Sequence, residues 1–223
     1  MGEYLNTKLF KSISKEEAEK MLKCSMSVER LYKCGEVIFT QNDRPNNIYL
    51  LLEGQVIISK YLPSGKRDII LTVKEGQLFG EVFLFSEEDY YWYEAQTMKE
   101  SRILVMPYAF INGFCSKACD HHKQIIRNLL DIQSEANLNM LKKLHIVKGT
   151  TLKQKIALWM LDNMNEDGIV KVEMTREALA DYLGTARPSL SRTLAEMQKE
   201  GIISVAKKNI SILDNNSFEK LFE

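Results

Sequence analysis

Between Lys117 and Val147 the chain contains neither glycine nor proline. Within that stretch Ile126, Leu130, Gln133, Asn137, Met140, Leu144 and Val147 recur at alternating steps of four and three. This spacing is a heptad seam, interrupted by polar residues at Gln133 and Asn137. A helix of this span is about 40 Å long at roughly 1.5 Å per residue, too long to pack on one small domain. A partner helix along the seam buries it, and a polar seam residue fixes register in a dimer. The expected dimer interface is therefore Ile126, Leu130, Asn137, Met140 and Leu144. The alternative is a core helix lying across its own domain.

The segment before this helix has another period. "EVIFT", "NIYLLLEGQVIISKYL", "RDIILTV", "LFGEVFLF", "YYWYEAQTM" and "RILVM" are rich in β-branched and aromatic residues. Between them lie turn signals at Asn42-Asp43, Glu53-Gly54, Pro63-Ser64-Gly65 and Glu75-Gly76. Short strands at such intervals predict an all-β barrel or jelly roll over residues 28–106.

After the long helix, Lys148-Gly149-Thr150 breaks the pattern and is the expected hinge. Thr151 is placed to N-cap the next helix, "LKQKIALWMLDNM". "IVKVEM" reads as a short strand, "REALADYL" and "SLSRTLAEMQKE" as helices, and "GIISVAKKNISIL" as a hairpin turning at Lys207-Lys208-Asn209. Two short helices joined at Gly184-Thr185 predict a helix-turn-helix. The run "ARPSLSR" then falls into place. Pro188 suits a first helical turn, where its missing N–H is not needed. Leu190, Leu194 and Met197 lie at i, i+4 and i+7 and face the core, so Arg192 points away, flanked by Arg187 and Ser189. An outward guanidinium on a helix can bond guanine O6 and N7 together in the major groove. Lys207 and Lys208 at a hairpin tip suit phosphate contacts. Ordinary surface arginines and a soluble lysine turn are the alternatives.

Composition is less informative. Apolar residues make up 45% of the chain, enough for a core, and 30 basic residues balance 30 acidic ones. Residues 149–223 carry ten Lys+Arg against eleven Asp+Glu, so any DNA binding has to come from local placement of charge. The N-terminus "MGEYLNTKLFKSISKEEAEK" is charged and broken, and no apolar run approaches the roughly 18 to 20 residues of a membrane span. The expectation is a cytoplasmic protein that does not enter membranes. Four cysteines (Cys24, Cys34, Cys115, Cys119) make no disulfide or zinc pattern. Cys115 and Cys119, four apart, are expected to be small buried hydrophobes, with a redox switch as the lesser alternative. All three histidines (His121, His122, His145) fall outside the predicted roll. That argues against a jelly-roll metal enzyme, and no nucleophile–base pair is evident.

The glycine-punctuated roll (Gly35, Gly54, Gly65, Gly76, Gly80), the "LFGEVFLF" signature, the long helix and "TREALADYLGTARPSLSRTLAEMQKEGII" together resemble the cyclic-AMP receptor protein and Fnr (Crp-Fnr) family of bacterial transcription regulators. The resemblance covers nearly all residues. It implies an α+β fold in three parts: an effector-sensing β-roll of the cyclic-nucleotide-binding type at 1–116, a dimerisation helix at 117–148, and a winged helix-turn-helix at 149–223. It also implies that Arg192 reads guanine while Arg187 and Ser189 contact DNA nearby. Pro188 stands where the best-known members carry a cytosine-reading glutamate. Cyclic-nucleotide binders follow their Gly-Glu pair with an Arg-Ser/Thr couple for the phosphate. Here Gly80 and Glu81 are present, but the couple's place reads Asp89-Tyr90, inside "EEDYYWYEA". A buried phosphate beside Glu88, Asp89 and Glu94 without arginine is disfavoured. Met140 and Leu141 stand where cyclic-AMP binders offer hydroxyls to adenine. The expected effector pocket is thus apolar and aromatic: Gly80, Glu81, Tyr90, Trp92, Met140 and Leu141. The N-terminal cysteines lack the clustered spacing of the iron–sulfur Fnr proteins, and no axial haem ligands are assignable.

The resulting expectation is a homodimeric, sequence-specific regulator of transcription. It binds double-stranded DNA at a palindromic operator, has RNA polymerase as a partner by family likeness, and responds to an effector other than cyclic AMP. A ligand-binding or protein-interaction module without DNA binding is the competing class. No cofactor or metal is assigned.

Overall fold

The computed structural model describes residues 2–84, 86–112 and 120–222. Cys115, Cys119 and the first residues of the expected long helix lie outside them. The chain divides into two compact units, Met1–Gln133 and Ser134–Glu223.

The first unit opens with two 3-10 turns and a helix, α1 (Lys15–Cys24). The start of α1 is locally encoded: the Ser14 hydroxyl accepts from the Glu17 N–H at 3.3 Å, and the Glu17 carboxylate accepts from the Ser14 N–H at 2.9 Å. This reciprocal box satisfies two otherwise orphaned donors. Eight strands follow: β1 (Val28–Tyr32), β2 (Val37–Phe39), β3 (Asn47–Glu53), β4 (Val56–Tyr61), β5 (Arg67–Val73), β6 (Leu78–Phe79), β7 (Glu94–Thr97) and β8 (Ser101–Pro107). They form two antiparallel sheets, β1-β8-β3-β6 and β2-β7-β4-β5.

The continuous apolar run of β3 has a simple cause, burial on both faces. Tyr49 and Leu51 point into the roll against Phe39, Ile58, Phe79 and Ala95. Ile48, Leu50 and Leu52 point the other way, into a layer made by Leu9, Phe10, Met21, Ile125 and Leu129. β8 divides in the same manner, Ile103 and Val105 to the roll and Leu104 and Met106 to the helical layer.

Two expected strands are shorter than their sequence pattern. Among the described residues of "LFGEVFLF", Leu78–Phe79 is extended and Glu81–Phe83 is a 3-10 turn. Gly80 breaks it with φ 80°, and a Cβ there would sit 3.0 Å from the Tyr49 ring, so the turn requires glycine. "YYWYEAQTM" is extended only over Glu94–Thr97.

After α2 (Tyr108–Asn112), the long helix α3 runs Asp120–Val147. Its first half buries Ile125 and Leu129 in its own roll and carries a buried polar residue, Asn128. The Asn128 amide nitrogen donates to the Leu9 and Lys11 carbonyls at 2.7 and 2.8 Å, and its oxygen accepts from the Gln124 amide at 2.9 Å. Asn128→Ala would strand two carbonyls of the N-terminal segment. It should lower stability by roughly 1 to 3 kcal/mol, read as a fall of several degrees in thermal denaturation.

The second unit contains the rest of α3, then α4 (Leu152–Asn163), β9 (Ile169–Lys171), α5 (Arg176–Tyr182), α6 (Arg187–Lys199), β10 (Ile203–Ala206), β11 (Asn209–Ile212) and α7 (Asn215–Glu219). The strands pair in the order β10-β11-β9. One core holds it together: Ile156, Trp159 and Met160 of α4, Leu179 and Leu183, Leu190, Leu194 and Met197 of α6, and Ile203 and Ile210 of the hairpin. Thr151 N-caps α4, its hydroxyl accepting from the Gln154 N–H at 3.2 Å, and Thr175 caps α5 from Ala178 at 3.1 Å.

The end of α3 belongs to this core. Ile146 is fully buried there, and the Lys143 ammonium lies 5.9 Å from the Tyr182 ring centroid. Gly149 is also closely packed, since a Cβ would stand 3.0 Å from the Lys155 backbone nitrogen. The division between the two compact units falls within α3, where residues 134–137 are all exposed.

Candidate nucleic-acid interface and effector site

In the second unit α5 ends at Tyr182 with Leu183 as its C-cap, Gly184 turns the chain with φ 66°, and α6 starts at Arg187. Ala186 occupies the N-cap and supplies no side-chain acceptor, while Pro188 sits in the first turn. Helix N-termini present unpaired N–H groups and partial positive charge, which suits a phosphate. At about 100° per residue, Arg192 lies opposite the buried Leu190, Leu194 and Met197. Arg187 and Arg192 are exposed and Ser189 is half-buried. Lys207 and Lys208 form the exposed turn between β10 and β11, with Lys207 at φ 51°. The turn is tied to the sheet by the Val172 N–H donating to the Lys208 carbonyl at 2.6 Å.

The structure adds one further basic residue. Arg176, the first residue of α5 after its Thr175 cap, is half-buried, and its Nη1 has no hydrogen-bond partner among the described residues. The cap-then-arginine pattern was the available signal in the sequence.

In the first unit Glu81 follows Gly80 into the 3-10 turn. Its Oε1 accepts from the Gln133 amide of α3 at 3.1 Å, while its buried Oε2 has no partner among the described residues. Burial pushes the Glu81 carboxyl above its ordinary value, against the weaker opposing effect of its own backbone N–H and of Gln133. The Tyr108 hydroxyl donates to the Gly80 carbonyl at 2.6 Å.

The aromatic run corrects one expectation. Tyr90 and Trp92 are the outward members, 49% and 56% exposed. The Arg44 guanidinium lies 5.8 Å from the Tyr90 ring centroid and the Lys60 ammonium 4.5 Å from that of Trp92. The inward members are Tyr91 and Tyr93. Tyr91 stacks on Phe39 with centroids 3.8 Å apart, and both rings meet Phe83 edge-on at 5.1 and 5.4 Å. Burial pushes both phenols well above their ordinary range. Four adjacent aromatics give no clue to the phase of the alternation, and the segment is not a strand. Met140 and Leu141 are exposed positions of α3.

Among the described residues no group of three or more His, Cys, Asp or Glu is placed to hold a metal, and no helix is long and apolar enough to cross a membrane.

Residues 29–118 match the model of the cyclic nucleotide-binding domain, and residues 154–221 match the Crp-like helix-turn-helix domain. The chain belongs to the Crp-Fnr family. It is a Crp-like transcriptional regulator with a helix-turn-helix DNA-binding domain. Among its relatives, the transcriptional regulator LdrP of Thermus thermophilus is 28% identical over 83% of this chain and 92% of its own length. The CRP-like cAMP-activated global transcriptional regulator of Mycobacterium tuberculosis is 23% identical over 81% and 82%. The anaerobic regulatory protein of Bacillus subtilis is 26% identical over 87% and 83%. In three dimensions the chain resembles the c-di-GMP-responsive global regulator CLP of Xanthomonas campestris, with a TM-score of 0.55 at 17% identity over 90% of this chain and 100% of that one. A CooA mutant from Carboxydothermus hydrogenoformans gives 0.54 at 16% identity over 99% and 94%. These two structures share the fold.

Proposed function

We propose that this Crp-Fnr regulator binds a two-fold symmetric operator as a homodimer and answers to a small molecule other than cyclic AMP. The observation that supports DNA reading most directly is the outward face of α6, where Arg192 lies opposite the buried side chains and Arg187 and Ser189 flank it. Arg192 reads a base, while Arg187, Ser189, Arg176, Lys207 and Lys208 contact the backbone. The dimer forms along α3 through Ile126, Leu130, Asn137, Met140 and Leu144, so two α6 helices address one half-site each. RNA polymerase is the further partner that family membership implies.

The effector proposal rests on charge. Asp89 and Tyr90 replace the phosphate-binding couple, and the Glu81 carboxyl is buried against an amide. A phosphate placed there meets like charge at low dielectric. The Tyr93 and Tyr108 rings near Gly80 and Glu81, together with the apolar Met140 and Leu141 of α3, favour an apolar or aromatic ligand. Titration calorimetry with cyclic AMP should show no saturable heat up to about millimolar concentration, weaker than roughly 4 kcal/mol of binding. Micromolar binding would overturn this reading. Selection of DNA sites from a random pool should return an inverted repeat, and single half-sites would argue against the dimer.

A further inference from the structure

One amide has two places to go. The heptad pattern puts Gln133 in the same seam class as Ile126, Met140 and Val147, each seven residues from the next. The structure instead turns its side chain to the roll, where it donates to Glu81 at 3.1 Å. Gln133 is also the last residue of the first compact unit, at the edge of the exposed 134–137 stretch. A side chain with two mutually exclusive partners is a two-state element whose balance either partner can bias.

We propose that Glu81 and Gln133 form a proton-linked latch: the charged carboxylate holds the Gln133 amide on the roll, and the neutral acid releases it to the dimer seam. An ionised acceptor holds an amide about twice as strongly as a neutral one, so proton uptake weakens the bond that keeps Gln133 from the seam. The proton goes to the carboxyl itself, whose buried Oε2 has no other partner among the described residues. Gly80 fixes the latch on its side, because only glycine fits there against Tyr49. Few groups compete for the proton. Among the described residues the titratable groups that face Glu81 are the Tyr93 and Tyr108 phenols, and burial raises both well beyond their ordinary range, so they stay neutral while Glu81 titrates. From α3 the group in contact is the Gln133 amide.

The sign follows from burial. The folded state holds the Glu81 proton to higher pH than the unfolded chain does. The stability associated with the neutral acid is therefore complete below the ordinary carboxylate range and is lost as pH rises through the raised folded value. Over the same rise Gln133 is drawn from the seam and the dimer weakens.

The latch rests on the proposed α3 dimer for its output but not for its titration, and two measurements separate them. Thermal denaturation of the full chain from about pH 5 to about pH 8 should show the wild type losing stability relative to Glu81→Gln, about tenfold in the folding equilibrium for each unit by which the carboxyl is raised. The dimer dissociation constant, from sedimentation across a dilution series, should tighten severalfold on acidification in the wild type. It should be flat with pH in Glu81→Gln and in Gln133→Leu. A wild type that is monomeric throughout would sink the dimer reading, whatever the denaturation curves show. Dimers whose pH response is the same in all three proteins would overturn the latch. So would denaturation profiles that run parallel for wild type and Glu81→Gln.

Discussion

Changing Leu130 and Leu144 together to glutamate should convert the protein to monomers and abolish operator binding. These leucines are 58% and 54% exposed in the single chain. Their neighbours Ile125, Leu129 and Ile146 point inward and are buried, so the two faces of α3 have separate tasks. Leu130, Asn137 and Leu144 recur every seven residues. In a parallel two-fold dimer such positions meet their own copies across the axis. Full burial of a leucine contributes about 1.5 to 3 kcal/mol. A little over half of each side chain is left to bury, so the four copies in a dimer supply roughly 3 to 7 kcal/mol, a large part of the roughly 8 kcal/mol of a micromolar dimer. Glutamate at both positions removes that contribution and places like charges face to face without partners. The inward residues are untouched, so circular dichroism should show a folded chain while sedimentation shows a monomer. Dimers persisting at micromolar concentration would remove the seam from consideration. Leu138 and Leu141, also strongly exposed, would then be the next surface to test.

Repeated patterns were legible in the sequence, and single contacts were not. The long helix, the strand-rich segment and the helix-turn-helix each rest on many residues voting for one period, and each is present in the structure. The Thr151 cap needed one residue but acts on its own backbone three positions on, so it too was readable. Gln133 shows the limit. The seven-residue repeat assigns it to the seam, yet Glu81, far away in sequence, claims its amide. Asn128 is hidden likewise, since its partners are the backbone carbonyls of Leu9 and Lys11, groups that every residue possesses. The Tyr90–Tyr93 run failed for another reason: with aromatics at every position, alternation carries no phase. By contrast, the Ser14–Glu17 box was a complete local signal for α1 that the periodicity of this short segment did not suggest.

Arg192→Ala should abolish discrimination among operators while leaving weak general DNA binding largely intact. Leu190, Leu194 and Met197 anchor α6 from below, so the Cα–Cβ bond of Arg192 opposite them is aimed outward by a rigid helix. A bidentate guanine contact is worth roughly 1 to 3 kcal/mol against the wrong base. A dimer carries two, which makes about 2 to 6 kcal/mol, or roughly 30-fold to roughly 20,000-fold in affinity for the selected site. The core side chains stay in place, so stability should change little and loss of folding cannot explain the result. Lys207→Ala with Lys208→Ala should act differently, because contacts to phosphate carry no sequence information. That pair should weaken all sequences alike and reduce the salt slope by about 0.9 for each phosphate no longer neutralised. Arg176→Ala belongs with the lysines if its Nη1 meets a phosphate. Site selection on each variant, followed by affinities at several salt concentrations, separates the two behaviours. If Arg192→Ala selects the same operator with undiminished affinity, base reading lies elsewhere and the outward face of α6 is only solvated surface.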